Sequence, residues 1–402
     1  MLNDENPPPV ESNSPSRLTL PSLAFSFFAV GTPGILTGLL LIEIGATFGV
    51  PVGIMGQVRT ASSTMVIVAA LLVSVASMRY SHKSLLMVGI LSLLTSAIGC
   101  AFAQSYLMML LLYPLTGIGM ATIQPMAMTL IAEYFPLERR ARAVSWFIAG
   151  GSLAYVVGSQ AIVFLARMGG WRAAYLGFVT PVILISLVLA WVGLPKASGG
   201  TREGHGSFTE GFKAVLLRGS AVSCLLATVL RMASFQLVLL YATSFFREQF
   251  AVSRGLASTI MTVVALSYTV GSLASGRLVN KYGRKRLTMV TTFLAGSLTI
   301  LMTRSTDFMF AMILDFLSAW FFGMSASVAQ SLNLEQVPEF RGIMMSLNSA
   351  SGGLGGALGA GIGGFALLAY GYWMSGLILG VLGVVSALIY LFLTIDPSAQ
   401  AR

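Results

Sequence analysis

Apolar residues run through this chain of 402 residues in long blocks, separated by short polar stretches. A helix that crosses a bilayer needs roughly 20 mostly apolar residues. Blocks of that length fall at about 20–43, 54–78, 84–104, 107–132, 142–166, 171–194, 220–246, 255–279, 286–303, 307–333, 343–368 and 371–395, twelve in all. The pattern predicts an all-α integral membrane protein with 12 transmembrane helices. One long polar break, Pro195 to Arg218, holds Gly199-Gly200 and Gly204-His205-Gly206 and divides the helices six and six. The predicted organisation is a disordered tail over 1–17, a six-helix bundle over 18–194, a linker over 195–218, a second six-helix bundle over 219–396 and a tail over 397–402. Residues Met1 to Ser16 are polar and contain Pro7-Pro8-Pro9, the composition of a disordered tail rather than of a secretory signal.

The two predicted bundles repeat. A shift of 202 residues lays Val50, Gly53, Thr60, Tyr80, Lys83 and Leu85 on Val252, Gly255, Thr262, Tyr282, Lys285 and Leu287, and Glu133 on Glu335. A shift of 201 lays Arg140, Ser145, Gly151 and Gly158 on Arg341, Ser346, Gly352 and Gly359. Matches spread this widely at nearly one offset point to two parallel six-helix repeats.

Composition narrows the class further. Only 9% of residues are charged and 56% are hydrophobic, whereas a soluble domain carries about 25% charged residues. The net charge of +10 does not point to nucleic acid, because the cations sit in short loops between apolar runs. With the N-terminus inside, seventeen Lys and Arg fall in inner segments and five (Arg167, Arg172, Arg247, Arg254 and Arg304) in outer ones. The positive-inside rule then places both termini in the cytoplasm. Cys100 and Cys224 lie in apolar segments of different halves with no His or Cys beside them, so they are expected to be packing residues, with no metal site and no cofactor.

The densest cationic loop is Gly276-Arg-Leu-Val-Asn280-Lys281-Tyr-Gly283-Arg284-Lys285-Arg286. It fits the pattern G-x-L-x-[DN]-[KR]-x-G-R-[KR] and resembles the loop found in each half of the major facilitator superfamily of transporters. Phe135 to Ala143, Pro338-Glu-Phe-Arg-Gly342 and Gly170-Trp171-Arg172 are similar to further motifs of that family, so the resemblance covers nearly the whole chain after Ser16. The first-half counterpart departs from it. Met78 stands at the acidic or amide position, and Ser81-His82 replaces Gly-Arg. Tyr113 stands where many relatives carry a helix-four arginine, and helix five lacks the Gly-Pro common in exporters. The resemblance implies that Gly276, Asn280, Lys281, Gly283, Arg284 and Lys285 latch the halves in the outward-facing state, with Glu133 and Glu335 as carboxylate partners. Gly283 can take positive φ without steric cost.

Ionisable groups inside a bilayer cost several kcal/mol and mark functional sites. Arg231 lies near the middle of helix seven and Asp315 some eight residues into helix ten, both on helices that line the central cavity in the resembling family. The expectation is an Arg231–Asp315 pair that breaks as a proton or substrate arrives, with Asp315 the proton carrier. Glu43 and Arg59 form a shallower candidate pair, an outer gate. Tyr113 and Gln124 share one face of helix four, and Asp315, Gln330 and Asn333 share one face of helix ten. Gln236 stands about 140° around helix seven from Arg231. The Gly-rich run Gly352 to Gly364 favours close helix packing and carries no nucleotide fingerprint.

No nucleotide-binding or catalytic motif accompanies these residues, so enzymatic chemistry is not expected. The resemblance implies a secondary active transporter that works by alternating access, here proton-coupled efflux (antiport). Proton-coupled uptake or facilitated transport of a small metabolite is the alternative, with Arg59 and Arg231 serving it if it is an anion; a non-transporting membrane sensor is the third. The expected partners are the lipid bilayer, a small-molecule solute and protons, with no nucleic acid. A monomer in the inner membrane of a prokaryote is the expected setting.

Overall fold

The computed structural model describes residues 16–77, 80–135, 137–195 and 208–396. It bears out the all-helical reading. Eleven stretches are long and apolar enough to cross a membrane, and one of them, Trp146–Gly193, has 48 residues. As one straight helix it would reach about 72 Å, more than twice the roughly 30 Å hydrocarbon core. Gly169 and Gly170 break it: Gly170 takes φ 75°, open to glycine at no steric cost. The break makes two spans, and the twelve of the sequence pattern are present among the described residues.

In chain order, span one is Thr19–Leu39, span two Val52–Val73, span three His82–Ala101 and span four Tyr106–Ile131. Spans five and six share Trp146–Gly193. Span seven is Gly219–Gln249, span eight Arg254–Val279, span nine Arg284–Arg304, span ten Phe308–Leu334, span eleven Ile343–Tyr370 and span twelve Tyr372–Phe392. The predicted linker is only partly a linker. Residues 196–207 lie outside the described part, but Phe208–Leu217 is a helix packed on span eleven, where Gly211 meets Ile343 and Phe340. Both predicted tails, apart from Ser16 and Arg17, also lie outside the described residues, as do Met78 and Arg79 of the first-half loop.

Small residues bring the spans close together. Gly323 in span ten faces the carbonyl of Tyr268 in span eight, and Gly296 in span nine faces Gly380 in span twelve. With no water to drive helices together inside a bilayer, such close packing holds them. Between the halves, span two lies along span eleven and span five along span eight.

The bundle has two unlike ends. The basic end carries the turn between spans eight and nine; the far end carries the turns between spans one and two and between spans seven and eight. Side-chain bonds that join the halves cluster toward the far end. Arg247 reaches Glu43, Gln57 donates to the carbonyl of Gly361 (3.4 Å), and Ser159 shares a bond with Thr262 (2.6 Å). The far end is shut across the halves. Toward the basic end, spans one and seven turn to their own halves, at Gly150 against Ala24 and at Gly355 against Val229.

Candidate functional site

Span four presents Tyr113, Gly117 and Gln124 on one face, as their spacing predicts. Tyr113 is buried and its hydroxyl donates to the carbonyl of Pro33 in span one (3.5 Å), and Gly117 abuts span two at Ser62. Gln124, further toward the basic end on that face, is exposed. Span ten repeats the layout. Phe322 packs on Phe235 of span seven (5.1 Å between rings), and Gln330, two turns on, is exposed. Both amides are exposed, each on the basic side of its buried aromatic.

The cationic centre starts in span two. Arg59 of span two runs against Gly34 of span one, where an added methyl would stand 2.6 Å from Nη1, so glycine leaves the room the guanidinium occupies. Arg59 is within electrostatic reach of Tyr155 in span five, and Tyr155 of Tyr113 and Tyr268. Tyr268 stacks on Phe235 (5.2 Å) and lies within reach of Arg231, which also neighbours Tyr390 of span twelve. The order across the halves is Arg59, Tyr155, Tyr268, Arg231. Neither arginine forms an ion pair among the described residues, and Nε of Arg231 has no hydrogen-bond partner although the residue is 7% exposed. Tyr155 and Tyr268 were missed from sequence; a hydroxyl at mid-membrane depth in each of two adjoining spans was the available signal.

The structure separates the expected Arg231–Asp315 pair. Asp315 stands seven residues from the start of span ten at Phe308, about 10 Å from the far end. Arg231 stands eighteen residues from the end of span seven at Gln249, about 27 Å from the same end. The Phe235–Phe322 contact fixes the register, and it sets Arg231 level with residues well beyond Asp315. Asp315 is fully buried, and neither carboxylate oxygen has a hydrogen-bond partner. A carboxylate placed so is costly in its charged form.

Glu43 does not meet Arg59 either. Its carboxylate accepts two hydrogen bonds from Arg247 (2.7 and 2.8 Å) and forms an ion pair with Nε of Arg254. The correct partners lie more than two hundred residues away, at the junction of spans seven and eight. The gate is thus a clamp of one carboxylate on two arginines from the other half, with Arg247 also donating to the carbonyl of Leu39 (3.3 Å).

The remaining candidates spread out. Asn333 is buried and donates to Asn348 of span eleven (2.6 Å), which also accepts from Thr228 (3.1 Å) one turn below Arg231. Gln236 is buried and turns to Gly356 of span eleven, away from the arginines. At the basic end, Glu133 bonds Nδ1 of His82 (2.6 Å) within its own half, rather than the turn at 276–286. The departure at His82 thus supplies that partner. Lys83 donates to the carbonyls of Trp191 (2.9 Å) and Leu194, closing the end of span six. Gly276 lies within the helix Arg254–Tyr282, and Lys281 sits over the ring of Tyr282 (5.3 Å). Gly283 makes the turn at φ 78°, and Arg284 opens span nine. Lys285 faces span twelve, and Glu335 closes span ten. The side chain of Asn280 lies outside the described residues.

A family model, the Major Facilitator Superfamily, matches residues 23–245 and 224–402. The chain belongs to this superfamily. It is therefore a multi-pass membrane transporter of a family that acts on small solutes, and not an enzyme. It is 24% identical over 361 residues to the inner membrane transport protein YdhP of Escherichia coli (strain K12), covering 87% of this chain and 88% of the relative. Over a shorter stretch of 153 residues it is 28% identical to the 4-hydroxybenzoate transporter PcaK of Acinetobacter baylyi, covering 38% of this chain and 34% of that one. Among solved structures, a D-xylose-proton symporter superposes with a TM-score of 0.77 at 17% identity, covering 94% of this chain and 98% of that one. That likeness carries the fold.

Proposed function

We propose that this superfamily member carries a small organic anion together with a proton across the cytoplasmic membrane by alternating access, with the basic end and both termini in the cytoplasm. One observation carries the reading: among the described residues, Arg59 and Arg231 have no carboxylate paired with either. An unpaired arginine inside a bilayer costs several kcal/mol, and a bound anion offsets that cost. Tyr155 and Tyr268 between them offer hydroxyl donors and ring faces, which suits a carboxylate on an aromatic or similarly flat body. The name of the partial relative, a 4-hydroxybenzoate transporter, fits the same chemistry.

Asp315 supplies the proton step. A proton moving in with a monovalent anion makes the transfer electroneutral, and a buried carboxylate without a partner is the group that can load and release it. The efflux antiport implied by the sequence resemblance would use the same three residues in the opposite direction. The unpaired arginines favour an anionic solute, and uptake with a proton is the simplest cycle for one. In this cycle the structure is the state closed at the far end and open toward the cytoplasm, held by the Glu43 clamp.

The test is flux into proteoliposomes from a panel of small aromatic carboxylates, neutral sugars and organic cations, with and without an acidic exterior. Carboxylate accumulation driven by the acid exterior supports the proposal. Movement of cations or sugars and none of carboxylates would overturn the anion, and carboxylate expulsion against the proton gradient would make the cycle an antiport. No flux of any solute would favour the sensor reading.

A further inference from the structure

A second cationic site lies at the basic end, away from the interface. The turn at Gly283 aims the first residues of span nine at the end of span twelve, and a cavity of about 520 Å³ opens between them. Lys285, Arg286 and Met289 line it from span nine, and Leu391 and Ile395 from the end of span twelve. Neither cation forms an ion pair among the described residues, and the first turn of span nine holds no acidic residue. Asp396 also lines the cavity, but it is 8% exposed and has interactions of its own, so two cations face the opening against one nearly buried carboxylate. Leu391 and Ile395 are exposed, and both lie at the edge of an apolar span where acyl chains run.

We infer that this cavity binds an anionic phospholipid of the cytoplasmic leaflet, with its phosphate on Lys285 and Arg286 and its first acyl carbons along Met289, Leu391 and Ile395. A free anion would find the cations but leave the apolar wall wet; a zwitterionic lipid would cover the wall but not neutralise the pair. Only an anionic lipid answers both. The volume suits a headgroup-sized ligand, and basic pockets between spans on the cytoplasmic side hold anionic headgroups by this charge match. The site also accounts for Lys285, which faces span twelve instead of the partner half. The leaflet rests on the orientation proposed above, but binding in detergent requires neither orientation nor transport, so the two readings fail separately.

The test counts bound lipid on the full-length protein in detergent by native mass spectrometry, with dioleoyl phosphatidylglycerol, dioleoyl phosphatidylcholine and inorganic phosphate as probes. Phosphatidylglycerol is expected to bind in preference to phosphatidylcholine, with inorganic phosphate failing to compete. The double variant Lys285→Gln, Arg286→Gln is expected to lose about 30-fold in phosphatidylglycerol affinity, from roughly fivefold per basic residue. Met289→Trp keeps the charges, fills the apolar wall and is expected to weaken the lipid as well; it carries the test if the double variant fails to fold. Equal binding of the two lipids, competition by phosphate, or unchanged affinity in the variants would overturn the assignment.

Discussion

Replacing Glu43 by Gln tests how the far end is held shut. The carboxylate bridges the halves through Arg247 and Arg254, and the side chains of Glu43 and Arg247 are each 13% exposed while that of Arg254 is 43% exposed. A fully buried pair loses about 3–5 kcal/mol when one partner is removed, and an exposed pair about 0–1 kcal/mol. The intermediate burial of this clamp, with one arm partly solvated, places the loss at about 2 kcal/mol. Gln keeps the shape but removes the charge, so two arginines face one amide. Because the bonds exist only when the far ends touch, the whole loss falls on the closed state and shifts the equilibrium toward opening by about 30-fold. Spin labels at Ala46 and Thr306, both exposed near the far ends of the two halves, read that shift by pulsed electron resonance. The wild type should show one short distance, and Glu43→Gln a second, longer population. An unchanged distribution would refute the clamp.

Four further outcomes follow from the same contacts. Asp315→Asn is expected to fold with unchanged or slightly raised thermal stability, because the amide removes a buried carboxylate that has no partner, and to lose the pH dependence of transport; retained proton coupling in pH-jump flux would contradict this. Gly364→Ala places a Cβ 2.5 Å from the carbonyl of Gly53, so spans two and eleven must part, and the Ala46–Thr306 distance should lengthen as it does in Glu43→Gln. Lys83→Ala removes the donor at the end of span six and should lower the melting temperature while leaving the substrate affinity of folded protein unchanged. Glu339, outside the spans, is held below its ordinary pKa first by its own backbone N–H and then by Arg218. The stability this contributes is present above the ordinary carboxylate range near pH 4 and is lost as pH falls through the lowered value, so melts of wild type and Glu339→Gln should differ slightly at pH 7 and converge in acid.

Much of the fold could be read along the chain, because bilayer thickness sets the length of every apolar run. The break between spans five and six was visible as Gly169-Gly170, and the turn between spans eight and nine as Gly283. The site was harder to read. Arg231 and Asp315 were both identifiable as costly, yet their pairing depended on depth, and depth depends on where each span begins; a few residues of boundary error at 1.5 Å each separate a contact from a gap. The Glu43 clamp could not be read from spacing at all, since Arg247 and Arg254 come from the other half and served in the sequence only as outer-loop charges. Arg59 looked like half of an outer gate because Glu43 is its nearest acid in the chain. Among the described residues it is a cation without an acid, and the proposed anion site rests on that.

The most direct measurement compares binding of an aromatic carboxylate with binding of its neutral amide, by calorimetry on purified wild type, Arg59→Gln and Arg231→Gln. A charge-assisted contact to arginine is worth about 1.5–3 kcal/mol, so the carboxylate should bind the wild type at least about tenfold more tightly than the amide. Each substitution should shrink that preference. Equal affinity for carboxylate and amide in the wild type, or a preference untouched in both variants, would contradict the assignment of Arg59 and Arg231 as the anion site.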